Sequence, residues 1–259
     1  MRPTLKTPLK CPHNFVSLDF LKYTLDKNVP IDCFAFRSGL IEISLMLDDF
    51  DITAFTNLYH VWEFWRCLIN SPENLMTNIE FFHKNIKEKE LAYYKQKWFV
   101  QFTNPYQRAS VFYLLNRYSE NGLFSQSELT KHNFSKLNVL SFERFAPLVK
   151  DLNLIFDNQT DFTNSFAHLN KEHLLFLPMG KKNNRLLKSK NVRSPETFYF
   201  NEDKIFEYFK KNDQKIILLY KYDKSIDKLD FNKIYITKFG TSTKNTDLAE
   251  DVIMANFDL

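Results

Sequence analysis

Residues 29–36 (VPIDCFAF) form a short apolar run opened by Pro30. Gly39 follows, then the helical pattern LIEISLML, then the alternating run 50–55 (FDITAF). A strand, a glycine turn, a helix and a second strand in that order predict the opening of a nucleotide-binding α/β sheet. Further strands are expected at 152–156, 173–177, 215–220 and 233–238, with an apolar element closing the chain at 248–257. Residues 57–118 instead repeat at helical spacing. Tyr59, Trp62, Phe64, Trp65 and Leu68 mark one run, and Ser71-Pro72 restarts the chain. A second run covers 86–102 with Lys87, Lys89, Lys95 and Lys97, and a third opens at Asn104-Pro105, a cap followed by proline in the first turn. A helical stretch of that length between strands predicts an inserted subdomain.

Composition sets the remaining bounds. A chain of 259 residues, 44% hydrophobic and 25% charged, has the length and balance for one substantial core. A net charge of +4 permits a nucleic-acid partner without requiring one. Cys11, Cys33 and Cys67 are an odd number without a CxxC pair, which argues against a disulfide framework or zinc site. No apolar run is long enough to span a membrane, and an intracellular, soluble protein without membrane contact is expected. With only 4 Gly, the chain is poorly supplied for gripping phosphates or nucleotides through its backbone.

Residues 104–138 carry the most specific pattern. They read NPYQRASVFYLLNRYSENGLFSQSELTKHNFSKLN, and this resembles the characteristic segment of Dam-type DNA adenine methyltransferases. Arg108, Leu115, Asn116, Arg117, Asn121, Gly122, Leu123 and Phe134 match the family's order and spacing. Weaker matches flank it: Asp32-Cys33-Phe34-Ala35 before the family's glycine-rich cofactor loop, Leu177-Pro178-Met179-Gly180 at its Asp-Pro-Pro-Tyr, and 250–257 at its closing strand. The resemblance implies a Rossmann-like methyltransferase sheet with an inserted helical subdomain. Residues 1–58 and 139–259 would form the core, and 59–138 the counterpart of the DNA-recognition subdomain.

The same resemblance implies three chemical stations, and the residues at each differ from the family's. Phe36 and Ser38 stand at the two glycine positions of the cofactor turn, with Arg37 between them; a one-residue shift brings in Gly39 as the last glycine only. At the end of the second strand, where the family holds the cofactor ribose with a carboxylate, the chain has Asn57. Leu177 replaces the acid that accepts the target amine, which leaves that amine desolvated at a cost of roughly 1–3 kcal/mol. Met179 and Gly180 replace the second proline and the tyrosine. The expectation is therefore no catalytic residues, no bound cofactor (S-adenosylmethionine only if the altered site still binds it), no metal site, and vestigial positions at Asp32, Phe34, Phe36, Ser38, Gly39 and Asn57.

The leading functional expectation is a catalytically inactive homologue, kept as a structural or interaction protein with a protein partner or self-association. Trp62, Trp65 and Trp98 are candidates for an exposed aromatic patch. Non-specific nucleic-acid binding is the alternative, through Lys181, Lys182, Arg185, Lys188, Lys190 and Arg193 of the basic loop, with Arg108, Arg117 and Asn121 as further candidates. Glu120 and Ser125 stand where the family has a wedging aromatic and a base-reading arginine, which weighs against sequence-specific reading. A divergent active adenine methyltransferase would have to draw its acid from Asp157 or Asp161.

Overall fold

The computed structural model describes residues 7–10, 15–135, 139, 142–181, 196 and 198–259. The chain forms two compact units. A helical unit comprises Met1–Pro12, Arg37–Leu40 and Leu58–Leu152; a sheet unit comprises His13–Phe36, Ile41–Asn57 and Asn153–Leu259.

The sheet unit has mixed α/β architecture around one eight-stranded sheet. Its strands are β1 (Ile31–Cys33), β2 (Ile52–Thr56), β3 (Asn153–Phe156), β4 (Leu174–Lys181), β5 (Ile216–Lys221), β6 (Lys233–Thr237), β7 (Ser242–Thr243) and β8 (Ala249–Ala255), in the order β3-β2-β1-β4-β5-β8-β6-β7. The first five are mutually parallel, while β8 runs antiparallel between β5 and β6. β5, sequence IILLYK, is buried through its first five residues, the continuous apolar run that a strand covered on both faces requires. Helices α1 (Leu18–Thr24) and α2 (Leu40–Met46) lie near the N-terminus of the chain. All the strands expected from sequence are present; the two-residue β7 is an addition.

The helical unit contains α3 (Tyr59–Asn70), α4 (Pro72–Asn85), α5 (Leu91–Gln101), α6 (Pro105–Tyr118) and α7 (Phe142–Val149). α6 is buried from Ala109 to Asn116 without interruption, polar Ser110 and Asn116 included, and α3, α4 and α5 pack around it. The expected start of α6 is correct in detail: the Asn104 side chain accepts the Tyr106 N–H at 2.8 Å, and Pro105 occupies the first turn. The unit reaches past the expected boundary at residue 138 to Leu152, because α7 packs against α3 and α4. It also takes in Thr7 to Lys10 and Arg37–Leu40, segments remote in sequence that are hydrogen-bonded into it as described below.

Helices α1 and α7 were not expected from sequence, nor was α8 (Glu202–Lys211). Its Asn201 cap accepts the Lys204 N–H, and it buries Ile205 and Phe209.

Candidate functional site

In a sheet of this order the connections run outward in opposite directions from β1 and β4. Ligands of doubly wound sheets sit beyond the carboxyl ends of the two strands at such a reversal. The residues there are those following Cys33 and those around Pro178, the same segments singled out from sequence.

Phe34 is fully buried after β1. Its ring stacks on Phe55 at 4.6 Å and 6°, and takes the edges of Phe162 and Phe166 at 5.1 and 5.3 Å. Phe162 in turn contacts Phe198 and Phe200. Ala35 adopts φ of +59°, a left-handed conformation that costs a residue with a Cβ roughly 1–2 kcal/mol. Phe36 follows, wholly buried, its N–H donating to the Phe55 carbonyl at 2.9 Å. A buried phenyl ring therefore stands at the position to which the resemblance gives a glycine.

Arg37 belongs to the helical unit. Its Nη2 donates to the Gly122 carbonyl at 2.7 Å, and its own carbonyl accepts the Trp65 indole N–H at 2.9 Å. The Ser38 hydroxyl accepts the Leu40 N–H at 3.4 Å, and Gly39 has a positive φ of 73°. Arginine at this position is a structural anchor with a buried guanidinium.

At the end of β2, Asn57 donates through Nδ2 to the carbonyls of Gln159 and Thr160 at 3.1 and 3.2 Å. The nearby carboxylates organise the same loop. Asp157 accepts the Gln159 N–H at 2.9 Å and the Ser165 hydroxyl; Asp161 accepts the Thr163 N–H at 3.0 Å and its hydroxyl at 2.7 Å. These are local turn and cap bonds of the kind short polar side chains make.

Toward the end of β4, Leu177 and Met179 are buried and Pro178 is half-buried. The register with β5 slips between Pro178 and Gly180, so Met179 is an extra residue in a bulge that Gly180 completes at φ of +72°. Leu177 carries an apolar chain at the station the resemblance gives to an acid. Lys181 is exposed at the strand end. Lys182, Arg185, Lys188, Lys190 and Arg193 lie outside the described residues.

Two buried carboxyls lie on β1 and α2. Asp32 bonds His173 Nδ1 at 3.1 Å, and burial raises its pKa above the ordinary carboxylate value. His173 immediately precedes β4, and Asp32 is the middle residue of β1. The Cys33 thiol donates to Glu42 Oε1 at 3.2 Å, and burial pushes the Glu42 carboxyl up to about 7. Glu42 was passed over in the sequence, although it is the only charged residue in LIEISLML.

In the helical unit the polar residues that carried the resemblance are held by internal hydrogen bonds. Arg108 clamps the buried Glu63 with Nε at 3.0 Å and with Nη2, and its Nη1 reaches the carbonyls of Phe102 and Thr103. Arg117 donates to the Thr7 carbonyl at 3.0 Å and lies over the Tyr113 ring. Asn116 bonds both the N–H and the carbonyl of Lys10 and also the Gly122 carbonyl. The Lys10 ammonium accordingly sits on the Arg117 and Ser119 carbonyls at the end of α6. Asn121 accepts the Leu123 N–H and the Ser127 hydroxyl. Gly122 has φ of +82°, and a Cβ there would lie 2.4 Å from the Lys10 carbonyl oxygen. The role of Lys10 has no local sequence signal, because its partners lie more than 100 residues away.

Of the tryptophans proposed for an exposed patch, Trp65 and Trp98 are buried; the correction follows from their place in the ring cluster with Phe64, Phe112 and Phe124. Trp62 is half-buried. Among the described residues no group of three or more His, Cys, Asp or Glu is arranged to hold a metal ion, and no helix is long and apolar enough to cross a membrane. The sequence matches neither a protein-family model nor a curated protein.

Proposed function

We propose that this chain is a non-catalytic relative of Dam-type adenine methyltransferases, with a Rossmann-like methyltransferase sheet and an inserted helical subdomain, acting as a structural or interaction protein. The strand order, with the last strand antiparallel between β5 and β6, supports the methyltransferase-like reading. The observation that carries the loss of catalysis is Phe36: a fully buried ring at the turn where a nucleoside cofactor needs bare backbone.

The other stations support the same reading. Asn57 directs its amide donor into the 159–160 loop, and a neutral amide replaces the ribose-binding carboxylate. Leu177 offers no acceptor for an adenine amine, so the positioning that methyl transfer demands is missing. Asp157 and Asp161 are engaged in loop bonds, which weighs against their serving as substitute acids. Arg108 and Arg117 are held by internal partners, which favours a structural role over phosphate contact.

Labelled methyl transfer tests the proposal. Purified protein incubated with duplex DNA and methyl-labelled S-adenosylmethionine is expected to leave the DNA unlabelled. Labelled N6-methyladenine above the protein-free background would refute it.

A further inference from the structure

The helical unit holds a cavity of about 400 Å³ beside the last turns of α4, lined by Glu80, His83, Lys84, Lys131, Phe134 and Val139. Ligand sites begin at roughly 300 Å³, so there is room for one or two rings and an acidic group. The walls are tied to one another by bonds that need no ligand. The Lys131 ammonium donates to the His83 carbonyl and to the Ile86 carbonyl at 2.8 Å, which fastens the segment 131–133 to the end of α4. The Asn133 amide donates to the Tyr118 carbonyl at 2.8 Å, and the Tyr118 hydroxyl bonds His83 Nδ1 at 2.9 Å. The Phe134 ring stacks on the imidazole at 4.2 Å and 30°, and makes edge contacts with Tyr118 and Tyr113 at 6.2 and 6.5 Å. A frame of this kind sets the cavity's shape before anything binds, which lowers the ordering cost of binding.

The lining sets the chemistry of a ligand. Two of its side chains are ammonium groups and one is a carboxylate, a balance that favours an anion over a cation. The Lys84 side chain has no hydrogen-bond or ion-pair partner among the described residues, and Lys131 engages two carbonyls while carrying three N–H groups. Each ammonium therefore has a hydrogen left to donate. Glu80 lies one turn before Lys84 on α4 and would repel a second acidic group, which limits the ligand to one. Phe134 and the imidazole stacked on it supply flat ring surface, and buried Val139 adds an aliphatic wall. Ring surface and unspent cations in one cavity suit a ring that carries an acid.

We propose that this cavity binds a small aromatic compound bearing one acidic group, its ring against Phe134 and its acid on Lys84 and Lys131. The inference does not depend on the loss of methyl transfer, since every lining residue belongs to the helical unit. Calorimetric titration of the full chain tests it with adenosine monophosphate and indole carboxylate, two sources of the same chemistry. Adenosine and indole lack the acid, and inorganic phosphate and acetate lack the ring. At least one of the two ring acids is expected to saturate at one site per chain with a dissociation constant below ~1 mM, and whichever binds tighter identifies the source. Its counterparts without acid or without ring are expected to bind about 10-fold more weakly or worse. Lys84→Glu, a change at an exposed position, is expected to weaken binding by about 10-fold or more, and Glu80→Gln to leave it equal or stronger. Neither ring acid saturating by ~5 mM, equal binding of a counterpart, or an isotherm unaffected by Lys84→Glu would overturn the proposal.

Discussion

The guanidinium Nη2 of Arg37 lies 2.7 Å from the carbonyl oxygen of Gly122, closing a bond across 85 positions of sequence. In the resemblance these residues belong to separate devices, a cofactor turn and a DNA-reading loop. Here one is the hydrogen-bond partner of the other. Arg37→Met is expected to lower stability by about 1.5–3 kcal/mol, because a buried charge-assisted bond is lost while Asn116 remains as the Gly122 carbonyl's partner. Arg37→Gly, which removes the same bond and adds backbone freedom to the unfolded chain, is expected to destabilise at least as much. Urea denaturation followed by circular dichroism measures both.

Gly122→Ala is expected to be the most damaging single-methyl change in the helical unit. The added Cβ would meet the Lys10 carbonyl at 2.4 Å in a conformation that already disfavours side chains. A loss of about 2 kcal/mol or more is expected. Asn121→Ala, which removes only two loop bonds, one part-buried and one exposed, is expected to cost about 1 kcal/mol. Equal midpoints for the two variants in thermal melts would contradict this assignment.

Arg108→Ala is expected to destabilise by about 3–5 kcal/mol, because it abandons the buried carboxylate of Glu63. Replacing both partners by Arg108→Met and Glu63→Leu together is expected to cost much less than either change alone. The double-mutant cycle distinguishes an internal ion pair from a phosphate contact. The latter would show as weakened DNA retention with unchanged stability.

The two units carry buried titrating groups of opposite sense. Burial pushes Glu42 in the sheet unit up to about 7, so its contribution is complete below pH 4.5 and is lost as pH rises to about 7. That loss is about 3 kcal/mol, and Glu42→Gln should remove it. Burial first, and then the charge of Arg37, lower His60 in the helical unit to about 3. Its contribution is present above pH 6.5 and is lost as pH falls through that range, by roughly 4–5 kcal/mol in full. All three tryptophans lie in the helical unit. The acid-side loss should therefore appear in tryptophan emission during urea unfolding and flatten in His60→Phe.

The strands were legible because each is a short apolar run bounded by turn residues, with β5 as the clearest case. The Asn104-Pro105 cap was legible because capping is local chemistry. α8 was hidden by its surroundings: charged residues make up six of its ten positions, and its two buried positions, Ile205 and Phe209, form only one turn of pattern. At the candidate site, the identities of Phe36, Asn57 and Leu177 were legible, and the structure adds that Phe36 and Leu177 are buried. What Arg37, Lys10 and Asn116 do could not be read, because their partners come from distant segments and depend on the folded chain. Trp65 and Trp98 were misjudged for a related reason: helical spacing identifies a face without saying what covers it.

Calorimetric titration of the unaltered protein with S-adenosylmethionine, at a protein concentration of ~100 µM, tests the central claim most directly. A buried Phe36 ring in the turn is expected to give heats no larger than those of dilution. A saturable isotherm with one site per chain, lost on competition with the demethylated product, would contradict it.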